Sequence, residues 1–336
     1  MPSQRPSGIY WARSSRLKTR HAQTPSLHYN HHYSAGFSHM ELISLAPHLS
    51  IIVGHNQGRF PSAHAFLVQD SVTALIDSGC GIGTLHAIRE QYAIDILINS
   101  HCHPDHSAGN WIFPDCPLYV PSEGVESHGR LEPLSHRLAE PGPLAAQWRR
   151  FVTTTMGFRE KAPTHVYEDG HEFEFGKLRL RALHTPGHTI DHYCFFEPDL
   201  KILLSFDIDL TAFGPWYGHR ESDLKQLRHS IKRLRDLGPH IVASSHREVV
   251  TRCIGEEFDR YEGVLEQREQ DICSLLKDGA SLEELVQASP IYGHYPYEPE
   301  LLRYWEAQTI RKHLEDMVVK NIVRRNGERY FPSYKR

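Results

Sequence analysis

The hydrophobic pattern predicts a series of short strands from Met40 onward. Within residues 72–100, a strand ends at Asp77, the segment TLHAIREQY has helical spacing, and AIDILINS is a continuous apolar run. A run of this kind is typical of a strand that is buried on both faces. We therefore interpret residues 72–100 as a β-α-β unit whose second strand ends directly before His101.

Two hairpins and an amphipathic helix are predicted in the second half of the chain. Residues 171–188 and 192–210 each contain two apolar-rich segments around a short turn. Residues 222–239 carry leucine and isoleucine at helical spacing, and Ser222 is a candidate N-cap. A last buried strand, HIVASSH, ends at His246.

Three segments with different character are expected along the chain. Residues 1–39 contain five Arg or Lys and no acid, which predicts a disordered basic N-terminal extension, with an organellar transit segment as the alternative. Residues 40–255 carry the strand pattern and form the main domain. Residues 256–336 read as helices followed by a hairpin at Asn326-Gly327, which predicts a C-terminal helical, winged-helix-like module.

Composition narrows the range of functions. A formal net charge of -4 gives no reason for a nucleic-acid partner of the whole chain, and no apolar run is long enough to cross a membrane. The six cysteines form no C-x-x-C pair, which favours reduced thiols and a cytoplasmic location. The 25 histidines instead point to metal chemistry.

The strongest chemical signal is the string SHCHPDH at the end of the β-α-β unit. In an extended segment His101 and His103 point the same way, so both imidazoles can bind one ion, while Asp105 and His106 can face a second. Three further strand ends also deliver a candidate ligand: His188, Asp207 (with Asp209 as a competitor) and His246. Imidazole and carboxylate together suit zinc, iron and related ions.

The motifs LIDSG, SHCHPDH, TPGHT, SFDID and SSHRE, in this order, resemble those of the metallo-β-lactamase superfamily. The resemblance implies an α/β fold of the αββα-sandwich type. It implies two divalent transition-metal ions, zinc by preference, with iron or manganese also accepted. The first ion would be held by His101, His103 and His188, the second by Asp105, His106 and His246, with Asp207 bridging. Asp77 and His192 would orient these ligands from behind.

The resemblance further implies a metal-dependent hydrolase. A hydroxide held between the two ions would attack the substrate, with Asp105 and Asp207 as catalytic carboxylates. A small-molecule ester or thioester is the expected substrate, as in the glyoxalase II and acyl-thioesterase branches. The alternatives are a LACTB-like endoribonuclease or phosphodiesterase acting on single-stranded RNA, and a redox or binding protein of the same fold. A homodimer is a further expectation.

Residues around the predicted centre are candidates for the substrate pocket. The aromatic loop after Asp207 and a histidine on an early hairpin are expected to contact substrate: Phe213, Trp216, Tyr217, His219 and His64. Phe206 and Arg247 stand where the superfamily usually has glycine, and we expect both at the pocket rim. Cys102, between two ligands, is expected to point into the core.

Overall fold

The computed structural model describes residues 40–333, which form two face-to-face β-sheets with helices on both outer faces. The predicted N-terminal extension lies outside the described residues. The first sheet has seven strands, in the order of the chain: β1 (Leu42–Ala46), β2 (Leu49–Ile52), β3 (Ala65–Gln69), β4 (Thr73–Ile76), β5 (Ile96–Ile98), β6 (Leu118–Pro121) and β7 (His165–Tyr167). Strands β1 to β4 pair antiparallel, and β4 to β7 pair parallel.

The second sheet has five strands and mixed pairing. It comprises β8 (Glu172–Glu174), β9 (Arg179–His184), β10 (Tyr193–Glu197), β11 (Ile202–Phe206) and β12 (Ile241–Ser244). Both predicted hairpins are present, as β8-β9 and β10-β11. Strand β12 pairs parallel to β11 at the edge.

Helices cover both sheets. They are α1 (Ile82–Gln91), α2 (Pro104–Ser107), α3 (Leu131–Leu138), α4 (Pro143–Thr155), α5 (Leu224–Asp236), α6 (Ile254–Leu275), α7 (Leu282–Ala288) and α8 (Pro299–Val319). The described residues include no helix that combines the length and apolar character needed to span a bilayer. The β-α-β unit is β4-α1-β5, as the pattern predicts.

Apolar side chains hold the two sheets against each other and hold the helices against the outer face of each sheet. Between the sheets, the ring of Phe206 packs edge-on against Phe66 from the first sheet and Phe195 from the second. On the outer faces, Leu85 of α1 packs against the first sheet and Leu227 of α5 against the second. These layers form the αββα sandwich that the motifs predict, because each sheet buries one face on the other and one face under helices.

The N-cap prediction for α5 is wrong by one residue. Asp223 caps the helix by accepting a hydrogen bond from the backbone N–H of Gln226, 2.8 Å away. The hydroxyl of Ser222 instead donates to the backbone oxygen of His188, 2.7 Å away. Ser222 therefore fixes the loop that carries a candidate metal ligand.

The C-terminal segment contains the predicted helices and hairpin, together with a third small sheet. Strands β13 (Ala280–Ser281), β14 (Val323–Asn326) and β15 (Arg329–Pro332) pair in the order β13-β15-β14. The first part of α8 does not stand apart from the sandwich. Leu302 and Trp305 share one buried cluster with Trp148 of α4. The C-terminal segment thus closes over the side of the sandwich on which the candidate ligands lie.

Candidate metal centre

Strand ends from both sheets converge on the candidate ligands. Strand β5 leads into His101 and His103, and α2 turns immediately so that Asp105 and His106 follow. The turn passes very close to the first sheet, since a Cβ at Gly79 would lie 1.3 Å from the backbone oxygen of Asp105. This close approach explains the glycine of the LIDSG motif.

The second sheet supplies the remaining three candidates. His188 follows β9, Asp207 follows β11, and His246 follows β12. All seven candidates are therefore brought together from the two facing sheets, although they span residues 101–246 of the chain.

The first group consists of His101, His103, His188 and Asp207, whose potential ligand atoms lie within 4.8 Å of one another. Asp207 Oδ2 is 3.1 Å from His188 Nε2, 3.8 Å from His101 Nε2 and 4.0 Å from His103 Nδ1. Three imidazole nitrogens and one carboxylate oxygen thus face a common point, a donor set that suits a transition metal.

The second group consists of Asp105, His106 and His246, again within 4.8 Å. The other oxygen of Asp207, Oδ1, is 2.8 Å from His106 Nε2 and 3.4 Å from His246 Nε2. Asp207 therefore turns one oxygen toward each group, which supports the bridging role. Asp209 belongs to neither group, because its carboxylate accepts hydrogen bonds from the backbone and hydroxyl of Thr211.

Unsatisfied polar atoms indicate that the centre suits a cation. His101 Nε2, His106 Nε2 and Asp207 Oδ1 are buried with no hydrogen-bond partner among residues 40–333. A buried polar atom without a partner costs about 1–3 kcal/mol, so three in one cluster are expensive unless a ligand satisfies them. Bound metal ions would satisfy all three, and the residues present fit such ions.

The pKa shifts within the first group agree with this conclusion. Burial and the neighbouring imidazoles hold the pKa values of His101 and His103 well below the ordinary value, so both rings are neutral, the form that binds metals. Burial opposes the charge on Asp207, but His106 and His246 outweigh it and hold the pKa of that carboxyl well below its usual range.

Asp77 orients His106 from behind. Its Oδ2 accepts a hydrogen bond from His106 Nδ1 at 2.7 Å, and its two oxygens also accept from the backbone N–H and hydroxyl of Ser100. The proton of His106 is thereby held on Nδ1, and Nε2 is left to face the second group.

His192 supports the backbone of Asp207. Its Nδ1 donates to the backbone oxygen of Thr185 at 3.1 Å, and its Nε2 accepts from the backbone N–H of Asp207 at 3.3 Å. Burial lowers the pKa of His192 to about 3, so the ring is neutral and can accept at Nε2.

His219 has a contact that the sequence did not indicate. Its Nε2 lies 2.7 Å from Nε2 of His103, and its Nδ1 lies 2.8 Å from the backbone oxygen of Leu138. His219 thus contacts the ring nitrogen of His103 that points away from the other candidate ligands, in addition to lining the adjacent cavity.

A cavity of about 260 Å³ opens beside the two groups. Of the substrate-contact candidates, Phe213, Trp216 and His219 line it. Tyr217 does not: it is fully buried and its hydroxyl donates to Nε2 of His313 at 2.8 Å, because the backbone turns this ring toward α8. The expectation for Tyr217 is wrong.

The expectation for His64 is also wrong. His64 is buried outside the cavity wall, and its Nδ1 accepts from the backbone N–H of Gly54 at 3.0 Å. Burial lowers its pKa to about 4, so the ring is neutral and acts as an acceptor. Its backbone N–H donates to Ser245, so it supports the loop that carries His246.

Phe206 and Arg247, which stand where the superfamily usually has glycine, do not lie at the cavity rim, so the expectation for both is wrong. Phe206 is fully buried between the sheets and has a positive φ of 47° directly before Asp207. Arg247 pairs with Glu257 of α6 at 3.1 Å. Cys102 is fully buried in the cluster with Trp148, which matches the expected inward orientation.

Nine of the 24 residues that line the cavity come from segments without a recognisable motif. Residues 122–164, between β6 and β7, and the C-terminal segment supply them: Leu138, Trp148, Phe151, Val152, Met156, Tyr292, Tyr297, Leu302 and Trp305. The only available sequence signal was their concentration of aromatic residues.

Residues 58–246 match the family model of the Metallo-beta-lactamase superfamily, and the chain belongs to this superfamily. The fold of this superfamily generally binds divalent metal ions, and the two ligand groups here agree with that property.

Curated relatives are similar at low identity. The chain is 26% identical to the lactamase-like protein aptB of Emericella nidulans over 80% of this chain and 81% of that protein. It is 26% identical to a beta-lactamase-like protein 2 homolog of Caenorhabditis elegans over 47% of this chain, spanning only 52% of that relative. It is 27% identical to the bovine acyl-coenzyme A thioesterase MBLAC2 over 44% of this chain and 58% of the relative.

Among solved structures, the fold matches a metallo-beta-lactamase family protein of Thermus thermophilus with a TM-score of 0.66 and 23% identity. The match covers 86% of this chain and 100% of the other. A beta-lactamase domain protein of Burkholderia ambifaria also has a TM-score of 0.66, with 15% identity over 87% of this chain and 93% of that one. These likenesses establish the fold.

Proposed function

We propose that the protein hydrolyses a small-molecule thioester or ester at a centre of two divalent transition-metal ions, with zinc preferred. The observation that carries the proposal is the orientation of Asp207, whose two oxygens face two separate groups of buried ligand atoms. A single-ion site would leave the three atoms of the second group without a function.

The residues divide into two ligand sets that share Asp207. His101, His103 and His188 would hold one ion, and Asp105, His106 and His246 the other. When bound, such ions lower the pKa of water toward neutrality and stabilise negative charge that develops on a carbonyl oxygen.

Asp105 is the candidate for handling the proton of the attacking water. Its Oδ2 is 3.7 Å from His246 Nε2 and 4.0 Å from His106 Nε2, and the residue also lines the cavity. In the proposed reaction the water oxygen bonds to the carbonyl carbon and the carbon–sulfur bond breaks. The Asp105 carboxylate, through the oxygen that would not bind the ion, receives the water proton and returns it to the departing thiolate, so the products are an acid and a thiol.

Two observations favour a thioester over other electrophiles. The centre opens into a mainly apolar cavity, which suits an acyl group. In addition, relatives with thioesterase names match this chain: the acyl-coenzyme A thioesterase MBLAC2, and the atrochrysone carboxyl ACP thioesterase of Aspergillus chevalieri at 27% identity over 38% of this chain.

Cleavage of single-stranded RNA is the alternative, and less supports it. A cavity of about 260 Å³ with aromatic walls is a poor match for a charged phosphodiester chain. The basic residues of the C-terminal hairpin region also have local partners. Lys320 pairs with Asp316 at 2.7 Å, and the guanidinium of Arg324 lies 4.7 Å from the ring centre of Phe331.

Parallel assays on the purified protein test the proposal. The substrates are an acyl-coenzyme A, a lactone, bis-p-nitrophenyl phosphate and single-stranded RNA, and the metal content is measured on the same sample. We expect close to two transition-metal ions per chain and turnover of the thioester above the other three.

Matched histidine variants identify the site responsible. His246→Ala removes a candidate ligand after β12, whereas His240→Ala changes an exposed histidine directly before the same strand. Only His246→Ala should lose activity and metal. If the wild type cleaves RNA but no thioester, and His246→Ala abolishes the RNA cleavage, endoribonuclease activity replaces the proposal.

A further inference from the structure

The cavity beside the metal centre has two chemically different ends. Asp105 and Asp207 lie at one end, where the ligand groups are exposed to it. Elsewhere the wall is mainly apolar, with Arg59, Asp209, Thr211 and His219 as the polar exceptions. Lining residues such as Leu138, Leu302 and Trp305 are at most 6% exposed. A ligand in this cavity would therefore have one reactive polar end and one apolar body.

Several polar atoms of the aromatic wall already have hydrogen-bond partners. Trp216 Nε1 donates to the hydroxyl of Tyr292 at 2.8 Å, and Trp305 Nε1 donates to the backbone oxygen of Leu138 at 3.4 Å. Eight phenyl, phenol or indole side chains line the space, and these paired groups present ring surfaces to it. The wall thus selects by shape and apolar contact rather than by hydrogen bonding.

A second space lies beyond Asp105, on the side opposite the apolar cavity, and could hold another portion of the substrate. A groove of about 430 Å³, lined partly by serine, threonine and glycine, meets the cavity at Pro104, Asp105 and Met156. A substrate that spans both spaces has its scissile carbonyl beside Asp105, between an apolar body and a polar leaving group.

We propose that the cavity is an acyl-binding chamber of limited length, and that the substrates are thioesters of acyl groups of about eight to ten carbons, straight or ring-bearing. This inference rests on the proposed function. The size follows by proportion, because an apolar cavity of about 150 Å³ holds one benzene ring, whereas this one measures about 260 Å³.

A chain-length series of acyl-coenzyme A thioesters, from acetyl to hexadecanoyl, tests the proposal with the wild-type holoenzyme. We expect kcat/KM to rise by about fourfold per added methylene up to octanoyl or decanoyl, as expected for burial of each methylene. Hexadecanoyl-coenzyme A should be a poorer substrate than decanoyl, because a cavity of about 260 Å³ is too small for the remaining carbons.

Two neighbouring leucines of α8 provide a matched pair of variants. Leu302 lines the chamber and Leu301 does not, although both are buried in the same cluster. Leu302→Ala removes three side-chain carbons from the wall and should shift the preferred acyl chain longer by about two to three carbons. Leu301→Ala should lower thermal stability to a similar extent and leave the preferred chain length unchanged.

The outcomes separate this inference from the proposed function. Equal turnover of acetyl and octanoyl thioesters would overturn the inference and leave thioester hydrolysis standing. If no thioester is hydrolysed, a titration with decanoate still tests whether the chamber binds acyl chains. Tryptophan fluorescence is the readout, since Trp148, Trp216 and Trp305 all line the chamber. If decanoate quenches the fluorescence saturably, and Leu302→Ala changes this quenching while Leu301→Ala does not, the acyl-binding chamber is supported even though thioester hydrolysis is not. Absence of quenching would refute both.

Discussion

His219 links the wall of the chamber to the first ligand group, and its hydrogen bonds determine the proton positions. The backbone oxygen of Leu138 can only accept, so Nδ1 of His219 carries a proton. Burial holds the pKa of His219 well below its ordinary value, so the ring is neutral and Nε2 is an acceptor. His103 must then donate from Nε2, and its Nδ1 is left with a lone pair that faces the ligand group.

Replacement of His219 by phenylalanine removes this acceptor while the cavity wall stays filled. The buried Nε2–H of His103 would have no partner, which costs about 1–3 kcal/mol. If that cost falls on the metal-binding tautomer, metal affinity at the first group falls roughly 5- to 150-fold. This range overlaps the 10- to 100-fold that loss of such an outer partner typically costs.

Competition with a chromophoric chelator measures the metal affinity of each variant directly. His219→Gln keeps an amide that can donate to Leu138 and accept from His103, so we expect most of the affinity to return. His313→Phe changes another buried histidine, whose ring pairs with the hydroxyl of Tyr217 rather than with a candidate ligand, and should bind metal like the wild type. If His219→Phe binds metal normally and only KM changes, His219 acts on the substrate and the tautomer argument is wrong.

Three further perturbations have defined outcomes. Asp77→Asn should weaken the second ion about 10- to 100-fold through His106, so that dialysis against a chelator leaves close to one metal per chain, measured by elemental analysis. Arg137→Met removes the ion-pair partner of the fully buried Asp191, which lies 2.5 Å from the guanidinium. The free energy of unfolding in urea should fall by about 3–5 kcal/mol, and a second change, Asp191→Asn, should restore part of that loss. Burial lowers the pKa of His313 to about 3 from an ordinary 6.5. The stability that its neutral form contributes is therefore complete above about pH 6.5 and is lost as the pH falls from 6.5 toward 3. In metal-free protein, the free energy of unfolding should therefore fall by about 1.4 kcal/mol per pH unit below pH 6.5 from this group, and His313→Phe should remove that portion of the slope.

The positions of the candidate ligands follow from the sequence because they depend on short-range periodicity. A continuous apolar run that stops at His101 identifies a strand end, and alternation then separates His101 and His103 from Cys102. Similar strand ends precede His188, Asp207 and His246. Parallel strand ends collect at one edge of a sheet, so strand prediction groups the ligands of each sheet, whereas the meeting of the two groups follows from the packing of the two sheets in the sandwich.

Side-chain direction within loops could not be predicted in the same way. Trp216 and Tyr217 are adjacent aromatic residues in one irregular segment, yet one lines the chamber and the other packs toward α8. Phe206 has a positive φ, which no periodic pattern indicates, and this geometry turns the ring inward. The chamber itself needs α4 and α8 in contact, and such long-range packing leaves no local signal.

Every metal site proposed here draws ligands from both sheets. His101 and His103 come from the first sheet and His188 from the second, and Asp207 adds a further ligand from the second. The ions would therefore act as cross-links between two halves of the sandwich, and a chain with only one sheet formed could not hold them. Metal at a thousandfold excess over its dissociation constant would add about 4 kcal/mol to the stability of the docked sandwich. Withdrawal of metal in a cell would then reduce the lifetime of the folded protein as well as its activity, so metal supply would set how much of the protein persists.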